Sequence, residues 1–428
     1  MSGRRSVKSG EAGVGLLYLM IWLIFVSAYV MIMAVRWANA PVVRMPDLLP
    51  LLGLTVSTLL FRVVFRPGMY QGDRIVPPMV LLLSGLGLLL QFRLGNIDLA
   101  NLTLASTHAY PIGMAAYLAT WLVFRRGRAA LLGRLALPAL LLACAVLGVI
   151  LVMGQRYRGA VFMAGQVNPA ELVKLLLAVF MAGVLTDFRK PLQQTVSGIP
   201  APPMRSVVTL GLLWAVPMGL LVLQRDLGMI ILLNVTLLVL LFMATGRWGY
   251  LVLGTGFAAG ASVLGFRFFS HAQVRFQAWL DPFADPTGKG WQILQSLSAM
   301  FSGGLMGSGL GSGAPTVVPI AASDFIYAAY AEELGFIGCI LLVLVYLMLF
   351  YRGYRIADQL RSPFPQTLAA AITTLLAMQT LMNMGGVTKA IPLTGITLPL
   401  LSHGGSSLIT TLLMLGLLTA LSEPGKKG

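Results

Sequence analysis

Runs of about twenty consecutive apolar residues constrain this chain more than any other feature, because an α-helix of that length spans the hydrocarbon core of a bilayer. The first run, VGLLYLMIWLIFVSAYVMIMA (14–34), already has that length. It is too long and wrongly flanked for a signal peptide, so no cleaved leader is expected. Further runs predict helices near 13–35, 47–65, 75–92, 107–123, 135–153, 170–186, 206–223, 227–245, 249–267, 324–350, 364–385 and 405–421. The expected fold is therefore an all-α, polytopic membrane protein of about twelve transmembrane helices. Residues are 57% hydrophobic and only 10% charged, against about 25% charged in soluble domains. The period-two pattern of a membrane β-barrel is absent.

Twelve spans put both termini on one side. The net charge of +16 then reads as topology rather than nucleic-acid binding. With Arg4, Arg5 and Lys8 in the cytoplasm, 19 of the 30 Lys and Arg fall on that side, ten fall outside, and Lys174 lies in a helix. The clusters Arg125/Arg126/Arg128/Arg134 and Arg352/Arg355/Arg361 are both inside. Anionic lipid accounts for their attraction to the surface. Arg156, Arg158, Arg225, Arg275, Lys289 and Lys389 remain as outer cations that topology does not explain. Cys144 and Cys339 lie in apolar helices and read as small core residues. His108, His271 and His403 are far apart in sequence and form no metal motif.

One long segment, 268–323, does not span and falls outside. Its WQILQSLSAMF stretch (291–301) has an apolar face at helical spacing, which predicts a short helix on the bundle or membrane surface. SGGLMGSGLGSG (302–313) follows, with glycines suited to tight turns and close backbone approach. The segment is expected to be ordered.

The fourteen acids are unevenly placed. Glu11, Asp73, Asp187, Asp358 and Glu423 lie on the cytoplasmic side near basic residues and read as solvated surface; Asp47 and Asp98 read as outer caps or loop residues. The others gather on the outer side, where ionisable groups at membrane depth are functional candidates. Each also has a plain structural reading. Asp324 suits an N-cap of the long helix after it. Of Glu332 and Glu333, one should face the bundle interior and need a cation. Glu171 suits a helix first turn and is three residues from Lys174. Asp226 in LQRDLG suits a turn between two helices. Asp281 and Asp285 occur in WLDPFADPTGKGWQILQS (279–296), and each precedes proline, which pushes it out of helical geometry. Asp281 reads as a turn or cap. Asp285 stands just before a helix start and close to Lys289, where a rigidly held carboxylate suits a general base.

These motifs carry a resemblance. QVNPAELVK (166–174), LQRDLG (223–228), the 279–296 stretch, GGLMGSGLGSG followed by SDFIYAAYAEELGFIG, and NMGGVTKAIPLTGITLPLLSHGGSS (383–407) occur in the order of the SEDS family (shape, elongation, division and sporulation), the RodA/FtsW-like peptidoglycan glycosyltransferases. The resemblance runs from residue 75 onward, with 1–74 as an extra two-helix segment. The chain departs from the family pattern at Ala322, Ser323, Gly159 and His403. The resemblance implies a lipid II polymerase in the bacterial cytoplasmic membrane with its site on the outer side. The acceptor sugar's 4-hydroxyl attacks C1 of the donor, inverting it to a β-1,4 link, and undecaprenyl pyrophosphate leaves. Asp285 matches the family's loop aspartate and is the expected base. Arg158, Lys174, Arg225, Lys289 and Lys389 are candidates for the pyrophosphate or for pairing with acids, and Gln292, Gln295 and Ser406 join the candidate substrate-binding set. Glu171, Asp226, Asp281, Asp324, Glu332, Glu333 and His403 are supporting candidates. No protein-bound cofactor is implied; a divalent cation at the lipid pyrophosphate is the one auxiliary considered. The implied partner is a class B penicillin-binding protein within the elongation, division or sporulation machinery. The rival readings are a lipid II flippase, a secondary transporter of another polyprenyl lipid or solute, a polysaccharide ligase and a non-catalytic scaffold.

Overall fold

The computed structural model describes residues 2–39, 45–95, 108–157, 160–162, 168–196, 199–268 and 270–425. Helices occur at all twelve expected places. In chain order they are α1 (Ser2–Asn39), α2 (Leu49–Val64), α3 (Val76–Arg93), α4 (Ala109–Phe124), α5 (Ala136–Met153) and α6 (Ala170–Asp187), then, after the one-turn α7 (Arg189–Leu192), α8 (Met204–Gln224), α9 (Leu227–Thr245) and α10 (Gly249–Phe268). Two helices of the non-spanning segment follow, α11 (Ser270–Leu280) and α12 (Trp291–Gly303), and then α13 (Ile326–Gln359), α14 (Pro363–Val387) and α15 (Gly405–Leu421). Among the described residues seven helices are long and apolar enough to cross a membrane, and α2, α4 and α15 are shorter apolar helices. This is a multi-pass α-helical membrane protein. Two small antiparallel hairpins were not expected: β1 (Gln155–Tyr157) with β2 (Ala160–Phe162), and β3 (Thr195–Val196) with β4 (Ile199–Pro200).

The chain divides into two compact units. The first comprises Met1–Arg128, Leu294–Arg352 and Thr397–Gly428. Here α4 packs along α15, and Gly416 permits it: a Cβ there would stand 2.5 Å from the Tyr117 carbonyl oxygen. Tyr117 and Thr419 share a hydrogen bond of 2.8 Å between the same helices. Phe61, Phe65, Tyr70, Tyr117 and Trp121 form an aromatic cluster at one end. Helices α1 and α2 pack on α3 and on each other. Tyr29 stacks on Phe92 and donates to the Asp47 carbonyl at 2.9 Å, while Arg36 pairs with Asp47 at 3.0 Å and lies over Phe92.

Two acids expected on the solvated surface are instead held in this unit. Asp73 accepts from the amides of Ile75 (2.9 Å) and Val76 (3.1 Å) and pairs with Arg352. Glu423 is buried and accepts from Trp121 Nε1 at 3.0 Å. In both cases a distant partner overrides the local charge run that suggested exposure. Asp98 lies outside the described residues.

Helix α13 is not continuous. It breaks at Gly335, which has φ +66° and ψ −170°. The amides released by the break find carbonyls in the glycine-rich loop: Phe336 donates to Gly304 (2.9 Å) and Ile337 to Leu305 (3.2 Å). In return Ser308 donates to the Glu332 carbonyl and Gly309 to that of Glu333, both at 3.0 Å. A broken helix at membrane depth is tolerable only when its backbone groups are satisfied this way. The two segments approach so closely that a Cβ at Gly307 or Gly335 would overlap the opposite backbone. That is the structural use of the glycine-rich stretch. The helix also starts later than expected. Ile326 is its first residue, so Asp324 stands before the cap position rather than in it.

The second unit comprises Ala129–Ile293 and Gly353–Ile396. Within it α6 packs against both α5 and α14, and α9 packs against α14. Gln224, at the end of α8, donates to the Leu147 carbonyl of α5 at 2.7 Å.

Candidate active site

The second unit contains the Asp281–Asp285 turn. After α11, Asp281 Oδ1 accepts from the Phe283 amide at 3.0 Å and caps a single 3-10 turn, Pro282–Ala284. This is the turn role expected of Asp281. Pro286 then keeps Asp285 extended, with φ −144° and ψ 74°. Its carboxylate is half-buried and fully oriented. Oδ1 accepts from the Gly288 amide and Oδ2 from the Lys289 amide, both at 3.0 Å. The Asp285 carbonyl accepts from Gly290 at 2.9 Å, leading directly into α12. An ionised carboxylate has about four acceptor positions. The two amides fill two of them, which leaves each oxygen able to accept one more donor.

The loop after α14 is fastened to α11. Trp279 Nε1 donates to the Lys389 carbonyl at 3.0 Å, and Arg275 Nη1 donates to the carbonyls of Thr394 (2.6 Å) and Leu393 (3.3 Å). Asn383 donates to the Ile396 carbonyl at 2.7 Å. Lys389 has φ +60°, a backbone state uncommon for a non-glycine residue. Arg275, one of the unexplained outer cations, thus has a structural task. Lys289 is exposed and donates to Gln277 Oε1 at 3.3 Å; Arg225 is exposed, with φ +60°, at the end of α8. Gln292 is half-buried in the first turn of α12. Arg158 lies outside the described residues.

Deeper in the same unit is a polar network. Lys174 is 1% exposed; its Nζ pairs with Glu171 Oε2 at 2.5 Å and donates to Gln379 Oε1 at 3.0 Å. The i,i+3 spacing had suggested the Glu171 pair; Gln379 was not foreseen. Asp226 caps α9 by accepting from the Met229 amide at 3.0 Å. Burial pushes its carboxyl above the usual range, and the charge of Glu171 adds to the rise; the Met229 amide, Lys174 and Arg275 hold it back.

Gln295, Asp324, Glu332, Glu333, His403 and Ser406 belong to the other unit. There Glu333, 1% exposed, accepts from Arg93 Nε at 2.9 Å, and Arg93 Nη2 donates to the Gly313 carbonyl at 2.7 Å. Glu332 is also buried and accepts from the Ala314 amide at 2.8 Å. Both glutamates therefore face inward, where one was expected to. Asp324 is half-buried, as is Gln295. Gln91 donates to the carbonyls of Ala322 (2.9 Å) and Leu401 (3.1 Å), and the His403 amide also donates to Ala322. Ser402 donates to the Ser323 carbonyl at 2.6 Å. The SHGGSS stretch thereby braces the start of the Asp324 segment. His403 lines a small cavity with Gln91, Tyr110 and Leu401, and desolvation pulls its pKa below the ordinary value. Ser406 is half-buried in the first turn of α15. Sequence reasoning missed Gln91, Arg93, Trp279 and Gln379, whose partners are all far away along the chain.

Among the described residues no three His, Cys, Asp or Glu side chains gather as metal ligands. The acids of the turn are oriented by backbone amides, Asp281 by that of Phe283 and Asp285 by those of Gly288 and Lys289.

Comparison with known proteins places the chain. Residues 73–427 match the family model of FtsW, RodA and SpoVE, described as cell cycle proteins; α1 and α2 precede the match. The peptidoglycan glycosyltransferase RodA of Mycobacterium tuberculosis is 35% identical over 381 residues, which cover 83% of this chain and 79% of the relative. The probable peptidoglycan glycosyltransferase FtsW of Geobacter sulfurreducens is 37% identical over 263 residues, 60% of this chain and 67% of the relative. Two solved structures share the fold, each at 24% identity. One, from work on coordination of polymerization and crosslinking by a peptidoglycan synthase complex, has a TM-score of 0.62 and covers 82% of this chain and 97% of its own. The rod shape determining protein RodA of Thermus thermophilus has a TM-score of 0.59, covering 83% and 98%.

Proposed function

This chain belongs to the FtsW/RodA/SpoVE family of cell cycle proteins and is a peptidoglycan glycosyltransferase, and we propose that Asp285 is the general base with which it joins lipid II units into glycan. The observation that carries this reading is the carboxylate held by two backbone amides with acceptor positions left over. A base must be fixed within hydrogen-bond reach of the proton it takes.

In the proposed step the 4-hydroxyl of the acceptor sugar donates to Asp285. As its oxygen bonds to C1 of the donor sugar, the hydroxyl proton passes to the carboxylate. The bond from C1 to the pyrophosphate oxygen breaks on the opposite face, and the undecaprenyl pyrophosphate leaves with the electron pair. Asp285 then releases its proton to water. Cations stabilise the leaving group's charge. Lys289, Lys389 and Arg225 are the candidates for that task, since Lys174 is already paired inside the bundle. A divalent cation at the leaving group would be held chiefly by the phosphate oxygens; among the described residues no three His, Cys, Asp or Glu side chains gather to hold one.

The proposed setting is the bacterial cytoplasmic membrane, with the Asp281–Asp285 turn on its outer face. The excess of Lys and Arg on the side of the termini supports that orientation. A class B penicillin-binding protein is the proposed partner. The structural likeness to a chain from work on a peptidoglycan synthase complex that couples polymerization to crosslinking supports it.

The test is to co-purify the chain with that transpeptidase and supply labelled lipid II to wild type and Asp285→Ala. A glycan ladder from wild type alone is expected. A ladder from both removes Asp285 from the mechanism. Lipid II crossing liposomes with no ladder would replace polymerisation by flipping.

A further inference from the structure

In the sequence Asp285-Pro286-Thr287-Gly288-Lys289-Gly290, two glycines flank the lysine whose amide binds the carboxylate, and they meet different obstacles. A Cβ added at Gly290 would overlap the Pro282 carbonyl oxygen. That oxygen is backbone, part of the 3-10 turn, and it cannot yield without moving the turn. A Cβ added at Gly288 would meet something else. The three nearest atoms all belong to the Asp285 carboxyl group: Oδ2 at 2.5 Å, Oδ1 at 2.6 Å and Cγ at 2.8 Å. A Cβ does not come that close to nonbonded oxygen or carbon, so one of the two groups must move. Gly288 does not have the positive φ that bars a side chain. Its backbone therefore accepts alanine, and the group that yields is the end of a rotatable side chain.

We infer that Gly288 is a positioning residue: the absence of a side chain there creates the seat in which the Asp285 carboxylate is held for proton abstraction. The inference rests on the reading of Asp285 as base. Gly288 contributes twice. Its amide is a donor to Oδ1 at 3.0 Å, and its missing Cβ leaves room for both oxygens against the turn. A methyl group at 288 pushes the carboxylate away by the better part of an ångström and loosens its bonds to both amides. Displacement of a reacting group by about 1 Å costs on the order of a hundredfold in rate. The collision lies inside the turn, between Gly288 and Asp285, so its main effect falls on the proton transfer the carboxylate performs rather than on the remaining contacts to lipid II. Gly290, limited by backbone, is by contrast a requirement of the turn itself.

The test compares Gly288→Ala, Asp285→Asn and the double variant as full chains in complex with the transpeptidase, with turnover of labelled lipid II followed at several concentrations. For Gly288→Ala, kcat falls about a hundredfold while KM is unchanged. Added to Asp285→Asn, Gly288→Ala costs no further rate, because the carboxylate it would misplace is no longer the base. Melting temperature supplies a second readout. Gly288→Ala in an Asp285→Ala background melts with Asp285→Ala alone, since the collision is gone. If Asp285→Asn turns over at the wild-type rate, the reading of Asp285 fails and this inference with it. If Asp285→Asn is inactive while Gly288→Ala retains full kcat, only the inference fails. If Gly288→Ala lowers the melting temperature equally with and without the Asp285 carboxylate, Gly288 serves the turn and not the base.

Discussion

Removing the Arg93 guanidinium is the sharpest test of how the first unit holds its glycine-rich loop. Arg93 joins α3 to Glu333 in α13 and to the Gly313 carbonyl in the loop. The Glu333 side chain is 1% exposed and that of Arg93 is 21% exposed. Arg93→Ala therefore leaves a buried carboxylate without its cation, next to a second buried carboxylate, Glu332. Breaking a buried pair from one side costs about 3–5 kcal/mol, and the partial exposure of Arg93 argues for the lower end, about 3 kcal/mol. The lost bond to Gly313 adds about 1 kcal/mol. At roughly 2 °C per kcal/mol for a unit of this size, the expected fall in melting temperature is about 8 °C. Detergent-solubilised protein followed by intrinsic fluorescence reads it directly. Glu333→Gln in the same background removes the stranded charge and should recover about 2 kcal/mol. Hydrogen exchange at 308–314 should accelerate in Arg93→Ala and slow again in the double variant. An Arg93→Ala protein melting with wild type, or a Glu333→Gln change that adds to the loss, would refute the buried pair as the loop's anchor.

Other perturbations follow from the same geometry. His403 is half-buried and desolvation lowers its pKa, so the folded state favours its neutral ring; this contribution is complete above the unfolded value of 6.5 and declines as pH falls below it toward the folded value. His403→Gln should flatten that part of a melting-temperature profile, and an unchanged slope would count against it. Asp226 has a raised carboxyl pKa, so its burial favours the protonated form; that contribution is present below 3.8 and lost as pH rises through the folded value. Asp226→Asn can still accept from Met229 and should narrow the stability difference between acid and neutral pH, measured by the same melts. Gly335→Ala would place a side chain at φ +66° and ψ −170° against the backbone of Gly307, and should lower the melting temperature by more than the backbone strain of about 1–3 kcal/mol alone; a melt like wild type would contradict the close approach.

The twelve helices were legible because a span of about twenty apolar residues needs no tertiary information. The turn at Asp281 and Asp285 was legible for a similar local reason: proline after each aspartate excludes helix whatever lies nearby. The break at Gly335 was not. AEELGFIG continues the apolar helical pattern, and the carbonyls that replace the lost helix bonds come from Gly304 and Leu305, about thirty residues earlier. Asp73 and Glu423 were misread for the same reason. Their neighbours are basic, yet their partners, Arg352 and Trp121, come from other parts of the chain. Asp324 shows how a favoured capping residue loses its role when the helix starts two residues later. At the candidate site the residue types were legible, but not the amides of Gly288 and Lys289 that orient Asp285, nor the Trp279 and Arg275 contacts that fix the Lys389 loop.

The central claim concerns one proton, and single-turnover glycan synthesis by Asp285→Asn tests it most directly. Asparagine keeps the shape and can accept an amide bond but cannot accept the hydroxyl proton. Measured in the transpeptidase complex with saturating labelled lipid II, the rate of first glycosidic bond formation should fall about 10²–10⁴-fold while lipid II binding stays at the wild-type level. First-bond formation at the wild-type rate would contradict Asp285 as the base.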